Sequence, residues 1–250
     1  MDISDLVFIT STFALAGFVK GVIGLGLPTL AMGLLAVAMT PAQAASLLAV
    51  PSFATNAWQA MGPRFWRLSR RLWPMLLGIC VGTLGVGIWA APGLLTADDG
   101  ARASVGLGVV LALYGLLGLS GAEFSVSARL EPWLSPSIGV VTGAVTAATG
   151  VYMIPSAPYL QAIGYEKDAL VQALGLAFTV STLALAAVLV HHGALHMSVA
   201  GASLAALVPA LLGMVLGQWV RGRMRSAAFR ICFFTASLLL GLHLVVRAFF

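Results

Sequence analysis

Charge is what this chain lacks most. Only 8% of its 250 residues are Asp, Glu, Lys or Arg, against 60% hydrophobic, far too little polar side chain to solvate a globular domain in water. A soluble enzyme is excluded. Cysteine is scarce too: Cys80 and Cys232 lie inside apolar segments, form no CxxC pair and have no histidine nearby. Neither a zinc site nor a redox couple is indicated, and both read as packing residues. The alternating pattern of a membrane β-barrel is missing. The acidic start Met1-Asp2-Ile3-Ser4-Asp5 has neither the basic region nor the cleavage pattern of a secretory signal, so the first apolar segment is expected to be retained.

What is present is apolar length. The runs are Leu6 to Lys20, Leu25 to Met39, Ala44 to Met61, Leu72 to Ala91, Ala103 to Ser120, Leu134 to Thr149, Val151 to Ile163, Ala169 to Val190, Val199 to Val220 and Ala227 to Val246. A span needs about 20 apolar residues, so roughly eight to ten crossings are expected. Hydrocarbon offers no partner to a free backbone N–H or C=O, which makes these segments helices. The fold class is all-α, a polytopic transmembrane helical protein. The excess of 13 Lys+Arg over 8 Asp+Glu does not point to nucleic acid. Eight basic residues form two clusters between apolar runs, Arg64, Arg67, Arg70, Arg71 and Arg221, Arg223, Arg225, Arg230, as cytoplasmic loops do.

Two runs are too short to span comfortably, and each is preceded by glycine and broken by proline: Gly24-Leu-Gly-Leu-Pro28 and Gly150-Val-Tyr-Met-Ile-Pro155. Their positions correspond. Gly17 to Gly24 pairs with Gly143 to Gly150, Pro28 with Pro155, Ala44 with Ala169, Phe53 with Phe178 and Asn56 with Ser181, at offsets of 125 to 127 residues. The chain therefore divides into repeats over 1–125 and 126–250. Loop charges orient them. Residues 62 to 71 carry four arginines and no acid, whereas their counterpart His191 to Ser198 carries no formal charge. The next loop reverses this, with Asp98, Asp99 and Arg102 in the first half and the second arginine cluster in the second. If arginine marks the cytoplasm, the halves are inverted and each crosses an odd number of times. Five crossings per half satisfy this, as do three full helices plus a re-entrant hairpin; four simple helices do not. Both termini then lie on the non-cytoplasmic side, with Arg247 as the one residue against it.

An inverted pair of broken helices is how secondary transporters build a midplane site. Helices starting at Pro28 and Pro155 would present free N–H groups and positive dipole ends to an anion, with Gly24, Gly26 and Gly150 allowing close approach. Packing or a kink would use the same residues. Lys20 stands between two apolar runs with no acidic neighbour, either facing a cavity and attracting an anion or snorkelling to the interface. Asn56 and Ser181, with Thr55, Gln59, Thr179 and Thr182 nearby, and Thr149 beside the second break, are candidate donors to an oxyanion or helix-to-helix glue. Tyr152 flanks Pro155 and is a candidate lining residue. His191, His192 and His196 have no carboxylate cluster and read as a solvated loop. Glu166 and Asp168 read as the acidic first turn of a helix. No Asp or Glu falls deep in a run, leaving a carboxylate proton relay without a candidate.

The sequence resembles the TauE/SafE family, the sulfite exporter and toluene sulfonate uptake permeases. The resemblance rests on Gly17-Phe-Val-Lys-Gly-Val-Ile-Gly-Leu-Gly-Leu-Pro28, the turn Thr40-Pro-Ala-Gln-Ala44 and Asn56. It also rests on Gly143 to Pro155, His192-Gly-Ala-Leu195 and Leu212-Gly-Met-Val-Leu-Gly217 before a basic loop. Leu25 and Leu27 interrupt glycines that family members often continue. The resemblance implies a bacterial cytoplasmic-membrane protein that moves sulfite, sulfoacetate or other sulfonates and carboxylates. The expected function is a secondary transporter, an exporter of small anions working by alternating access. An anion channel and an intramembrane enzyme are the alternatives. Expected partners are the anionic substrate, membrane lipid and a coupling ion, proton or sodium; a homodimer is compatible, and no cofactor or metal is called for.

Overall fold

The computed structural model describes residues 3–90, 100–121, 125–195, 197–221 and 226–248. Asp98, Asp99, His196, Arg223 and Arg225 lie outside the described residues. The elements are α1 (Ile3–Ile23), α2 (Leu27–Leu35), α3 (Pro41–Ala60), α4 (Phe65–Leu84) continuing into a π-helical segment (Gly85–Ala90), and α5 (Gly100–Leu119). The second half holds α6 (Glu131–Thr149), α7 (Ser156–Ala162), α8 (Lys167–His191), α9 (Met197–Arg221) and α10 (Ser226–Arg247). No strand occurs among the described residues. Among the described residues, five stretches are long and apolar enough to cross a membrane: Asp5–Ile23, Phe65–Trp89, Asp168–His191, Gly201–Arg221 and Arg230–Arg247. The protein is a polytopic helical membrane protein. All six tryptophans are exposed, as are many Leu and Val side chains on the same outer surface, the pattern of a lipid-facing wall with aromatic anchors.

Glycine lets the helices touch. Ideal Cβ atoms on Gly17 and Gly213 would come within 2.2 Å of the carbonyl oxygens of Ala210 and Ala14, so α1 and α9 meet backbone to backbone. Gly21 and Gly217 continue the seam against Met214 and Phe18, and the order shows that the two helices run parallel. In α4 and α6 the same construction recurs, with Gly78, Gly82, Gly139 and Gly143 pressed on the opposite backbone, again parallel. Lipid gives helices no hydrophobic reason to associate, and close approach of small residues supplies the packing instead. Two further pairs are antiparallel. Gly108 of α5 meets Gly241 of α10 while Gly115 meets Phe234 and Leu238. Gly175 of α8 meets Gln59 and Ala60 of α3, and Thr182 meets Asn56. Exchanging α1–α5 for α6–α10 maps each of these four packings onto one of the same set.

The two breaks differ from each other. In the first, Gly24 and Gly26 take left-handed φ of 83° and 110°. The helix starts at Leu27, with Pro28 in its first turn, where its missing donor costs nothing. The second was expected to start a helix at Pro155. Instead Gly150 caps α6 in the left-handed conformation, Val151 to Met153 are non-helical, and α7 begins at Ser156. The residue before a proline is disfavoured from the helical region, which keeps Ile154 and its neighbours out of the helix.

Thr40 starts α3 with a complete capping box to Gln43, as the Thr-Pro-Ala-Gln pattern suggests. Inside α3, Pro51 has no N–H for the Leu47 carbonyl. The Ser203 hydroxyl of α9 donates to that carbonyl at 2.7 Å, filling the gap. Neither cysteine forms a disulfide. Cys232 is exposed on α10 rather than packed, because its neighbours Phe233 and Phe234 take the inward positions.

Candidate functional site

Thr55 and Asn56 of α3 meet Lys20 from the last turn of α1, and Gln59 lies one turn further along the same helix. Lys20 is only 2% exposed, and its Nζ donates to Thr55 Oγ1 at 3.1 Å and to Asn56 Oδ1. Thr55 passes its own proton to the Pro51 carbonyl at 2.7 Å, which leaves its oxygen free to accept from Lys20. With its carboxamide oxygen engaged by the lysine, Asn56 donates from Nδ2 to Tyr152 OH and to Thr182 Oγ1, both at 3.3 Å. Tyr152 OH and Thr182 Oγ1 are 3.2 Å apart, which closes a ring of polar groups drawn from α1, α3, the second break and α8. Among the described residues no carboxylate pairs with Lys20. A lysine buried among neutral acceptors is costly to keep charged, which sets it apart from an ordinary packing residue.

Beside this cluster opens a cleft of about 330 Å³. Lys20, Gly21, Gly24 and Gln59 line it, as do Arg64, Asp168, Gln172, Gln218 and Arg221. One arginine from each cluster, Arg64 and Arg221, thus borders a single cavity. A second cavity, about 470 Å³, lies at the other end of α3 between the α2–α3 turn and α10. Arg247, exposed at the end of α10, donates to the Val37 carbonyl there. At 1.5 Å per residue the length of α3 separates the two clefts by about 30 Å, the thickness of a hydrocarbon core. Between them a space lined by Met32, Ala45, Leu48, Gly150, Tyr152, Thr182 and Leu185 measures about 10 Å³, enough for one water.

The two breaks touch through one contact, of Thr29 in the first turn of α2 with the sulfur of Met153, which lies in the non-helical stretch ahead of α7. Gly26 is packed against Phe233 and Gly150 against Met32 and Ala45, so apolar side chains occupy the space around the helix starts. Of the expected residues, Lys20, Asn56 and Tyr152 come together in the polar cluster and Gly24 joins the cleft beside it. Gly26, Pro28, Gly150 and Pro155 shape the two breaks. Thr149 turns its hydroxyl to the Val145 carbonyl and accepts from Val151 N. Ser181 is buried but bonds its own helix at Ala177; the adjacent Thr182 is the residue that reaches the cluster. A helical residue one position away points about 100° round the axis, which a repeat alignment of weak identity does not resolve. Arg64, Gln172, Gln218 and Arg221 were not singled out as lining residues, although a glutamine inside an apolar run is a signal that could have marked them.

The arginines of the first cluster are more than solvated charges. Arg71 makes a bidentate pair with Glu131 at 2.6 Å and lies 4.9 Å above the Tyr165 ring, while Arg64 is 3.5 Å from Glu166. These contacts tie the start of α4 to the second half. Glu166 therefore has an ionic partner as well as its place ahead of α8. His192 is partly buried and bonds the Gly87 carbonyl of the π segment at 2.8 Å instead of standing free in solvent.

The profile of the sulfite exporter TauE/SafE family matches residues 9–244. The chain belongs to the TauE/SafE family. That makes it a multi-pass membrane protein of an exporter family. Neither a curated protein nor a solved structure matches it. Membership of this transporter family implies a small anionic substrate.

Proposed function

We propose that this TauE/SafE protein is a secondary transporter, an exporter of small sulfur-containing or organic anions in a bacterial cytoplasmic membrane. Sulfite, sulfoacetate and other sulfonates are the class. The observation that carries the reading is Lys20: a fully enclosed cation with only hydroxyl and amide partners, beside a cleft bordered by Arg64 and Arg221. The arginines draw an anion in from one side, and Lys20 with Asn56, Thr55 and Tyr152 receives it. The four exchangeable helix packings, and the presence of Arg64 and Arg221 at one cleft, support two inverted halves over 1–125 and 126–250 with both arginine clusters in the cytoplasm. Alternating access then amounts to opening the constriction of Met32, Leu48 and Leu185 while the cleft at Lys20 closes. A channel needs a continuous polar path, and that constriction interrupts it.

The test is flux of radiolabelled sulfite in liposomes containing the full chain. Saturable uptake with counterflow is expected, and Lys20→Met should abolish it. The substitution keeps the volume and removes a buried charge but leaves Asn56 Oδ1 without its donor, so thermal melting in detergent is measured alongside and should show a cooperative transition for the variant. Flux that survives in Lys20→Met would remove the lysine from the site. Non-saturable flux would support a channel.

A further inference from the structure

Beside Lys20 lies an acceptor with nothing to accept. Gln59 is 7% exposed, and its Nε2 donates to the Gly24 carbonyl at 2.8 Å and the Val171 carbonyl at 3.0 Å. Two carbonyls on the nitrogen side fix which way round the carboxamide sits, because a flipped amide would set oxygen against oxygen. Its Oε1 is therefore held facing away from both, and it has no partner among the described residues. Gln59 and Lys20 line the same cleft, and Gln59 follows Thr55 by four residues on α3, one turn along the face that holds the lysine. The ammonium has three donors, of which Thr55 and Asn56 use two. The place thus offers one free N–H on a cation and, next to it on α3, the free carbonyl oxygen of Gln59; the Gln172 oxygen, also without a partner among the described residues, lines the same cleft from α8. Leaving a buried carbonyl unpaired is costly, so its complement is a ligand that brings a donor.

Resting on the anion-transport reading, we infer that the site takes a singly charged oxyanion that keeps one O–H, with a deprotonated oxygen on Lys20 and the hydroxyl on Gln59 Oε1. Charge balance argues for the same species. At the cleft Arg64 is paired with Glu166 and Asp168 offsets Arg221, which leaves Lys20 to neutralise one negative charge; a dianion would carry an uncompensated charge into the membrane interior, where it is expensive. Hydrogen sulfite fits; a monosulfonate has the charge but no proton to give; sulfate and the doubly charged sulfoacetate have one charge too many, which narrows the class proposed above. Each hydrogen sulfite moved also carries a proton. The charged and titratable groups around the spot are Lys20 of α1, Arg64 ahead of α4, Tyr152 of the second break, Asp168 of α8 and Arg221 of α9.

The experiment is binding of sulfite, methanesulfonate and sulfate to the purified full chain in detergent at about pH 6 and about pH 8, by calorimetric titration. Methanesulfonate does not titrate there, so its own change with pH reports the protein's groups, Lys20 included. Each pH unit above the ligand's own pKa thins the protonated form about tenfold. Relative to methanesulfonate, sulfite should therefore lose about tenfold in affinity between the two pH values, and sulfate should bind at least about tenfold more weakly than methanesulfonate at both. Gln59→Met also removes the bonds to Gly24 and Val171, so both anions should weaken, and the sulfite-to-methanesulfonate affinity ratio at about pH 6 should fall to about that at about pH 8. A sulfite-to-methanesulfonate ratio that does not change with pH, or sulfate binding as tightly as methanesulfonate, overturns the inference and leaves the transporter reading standing. If Gln59→Met binds methanesulfonate and retains the full preference for sulfite, the glutamine has no part in it. Should that variant fail to fold, the two wild-type comparisons decide. No binding of any of the three anions at either pH defeats the transporter reading itself.

Discussion

Replacing Gly17 by alanine tests whether the α1–α9 seam holds the bundle. The added Cβ would stand 2.2 Å from the Ala210 carbonyl oxygen, and that atom is backbone, so no rotamer change relieves it. Ordinary contact begins at 3.4 Å, and 3.4 − 2.2 gives a forced separation of 1.2 Å. A gap of about 0.5–1 Å already forfeits a quarter to a half of a contact's dispersion energy. The opening is also shared by Gly21, Gly213 and Gly217 along the seam. Overpacking of this kind costs about 1–3 kcal/mol, or about 5- to 150-fold in the folded population. Gly143→Ala, which meets the Ile79 carbonyl oxygen at 2.3 Å in the α4–α6 seam, should cost about the same. Gly201→Ala is the control: it meets nothing within 4 Å in the first turns of α9. It should be neutral or stabilising by up to about 1 kcal/mol. Thermal melting in one detergent under identical conditions reads all three. If Gly17→Ala and Gly143→Ala melt with Gly201→Ala, close backbone packing is not what joins these helices.

Two more outcomes follow from single contacts. Ser203→Ala strips the Leu47 carbonyl of the donor that replaces the proline's missing N–H, and should lower stability by about 1–2 kcal/mol. Ser203→Thr, which keeps the hydroxyl, should recover most of it, and equal melting of the alanine and threonine variants would contradict the account. In a chain whose native cysteines are replaced by serine, single cysteines at Arg64 and Arg221 should label from one side of the membrane and a cysteine at Arg247 from the other. Labelling of Arg64 and Arg221 from opposite sides would end the inverted arrangement.

Much of this protein follows from sequence alone, for physical reasons. A chain with so little charge has to fold in lipid, and lipid forces every backbone group into a helix, so class and approximate helix positions follow from apolar length. Gly24, Gly26, Pro28 and Gly150 mark the breaks because glycine and proline act on the backbone of their own neighbourhood. Lys20 and Asn56 stand out because polar groups in apolar runs are costly wherever they point. Where they point is the part that only packing decides. That Lys20 lies on Asn56, that Thr182 and not Ser181 completes the cluster, and that the Gln59 oxygen is left over all depend on helix rotation and on the glycine seams setting how near each helix comes. A residue's rotation about its helix and its distance from another helix are properties of pairs of segments far apart in the chain, and no local stretch of residues carries them.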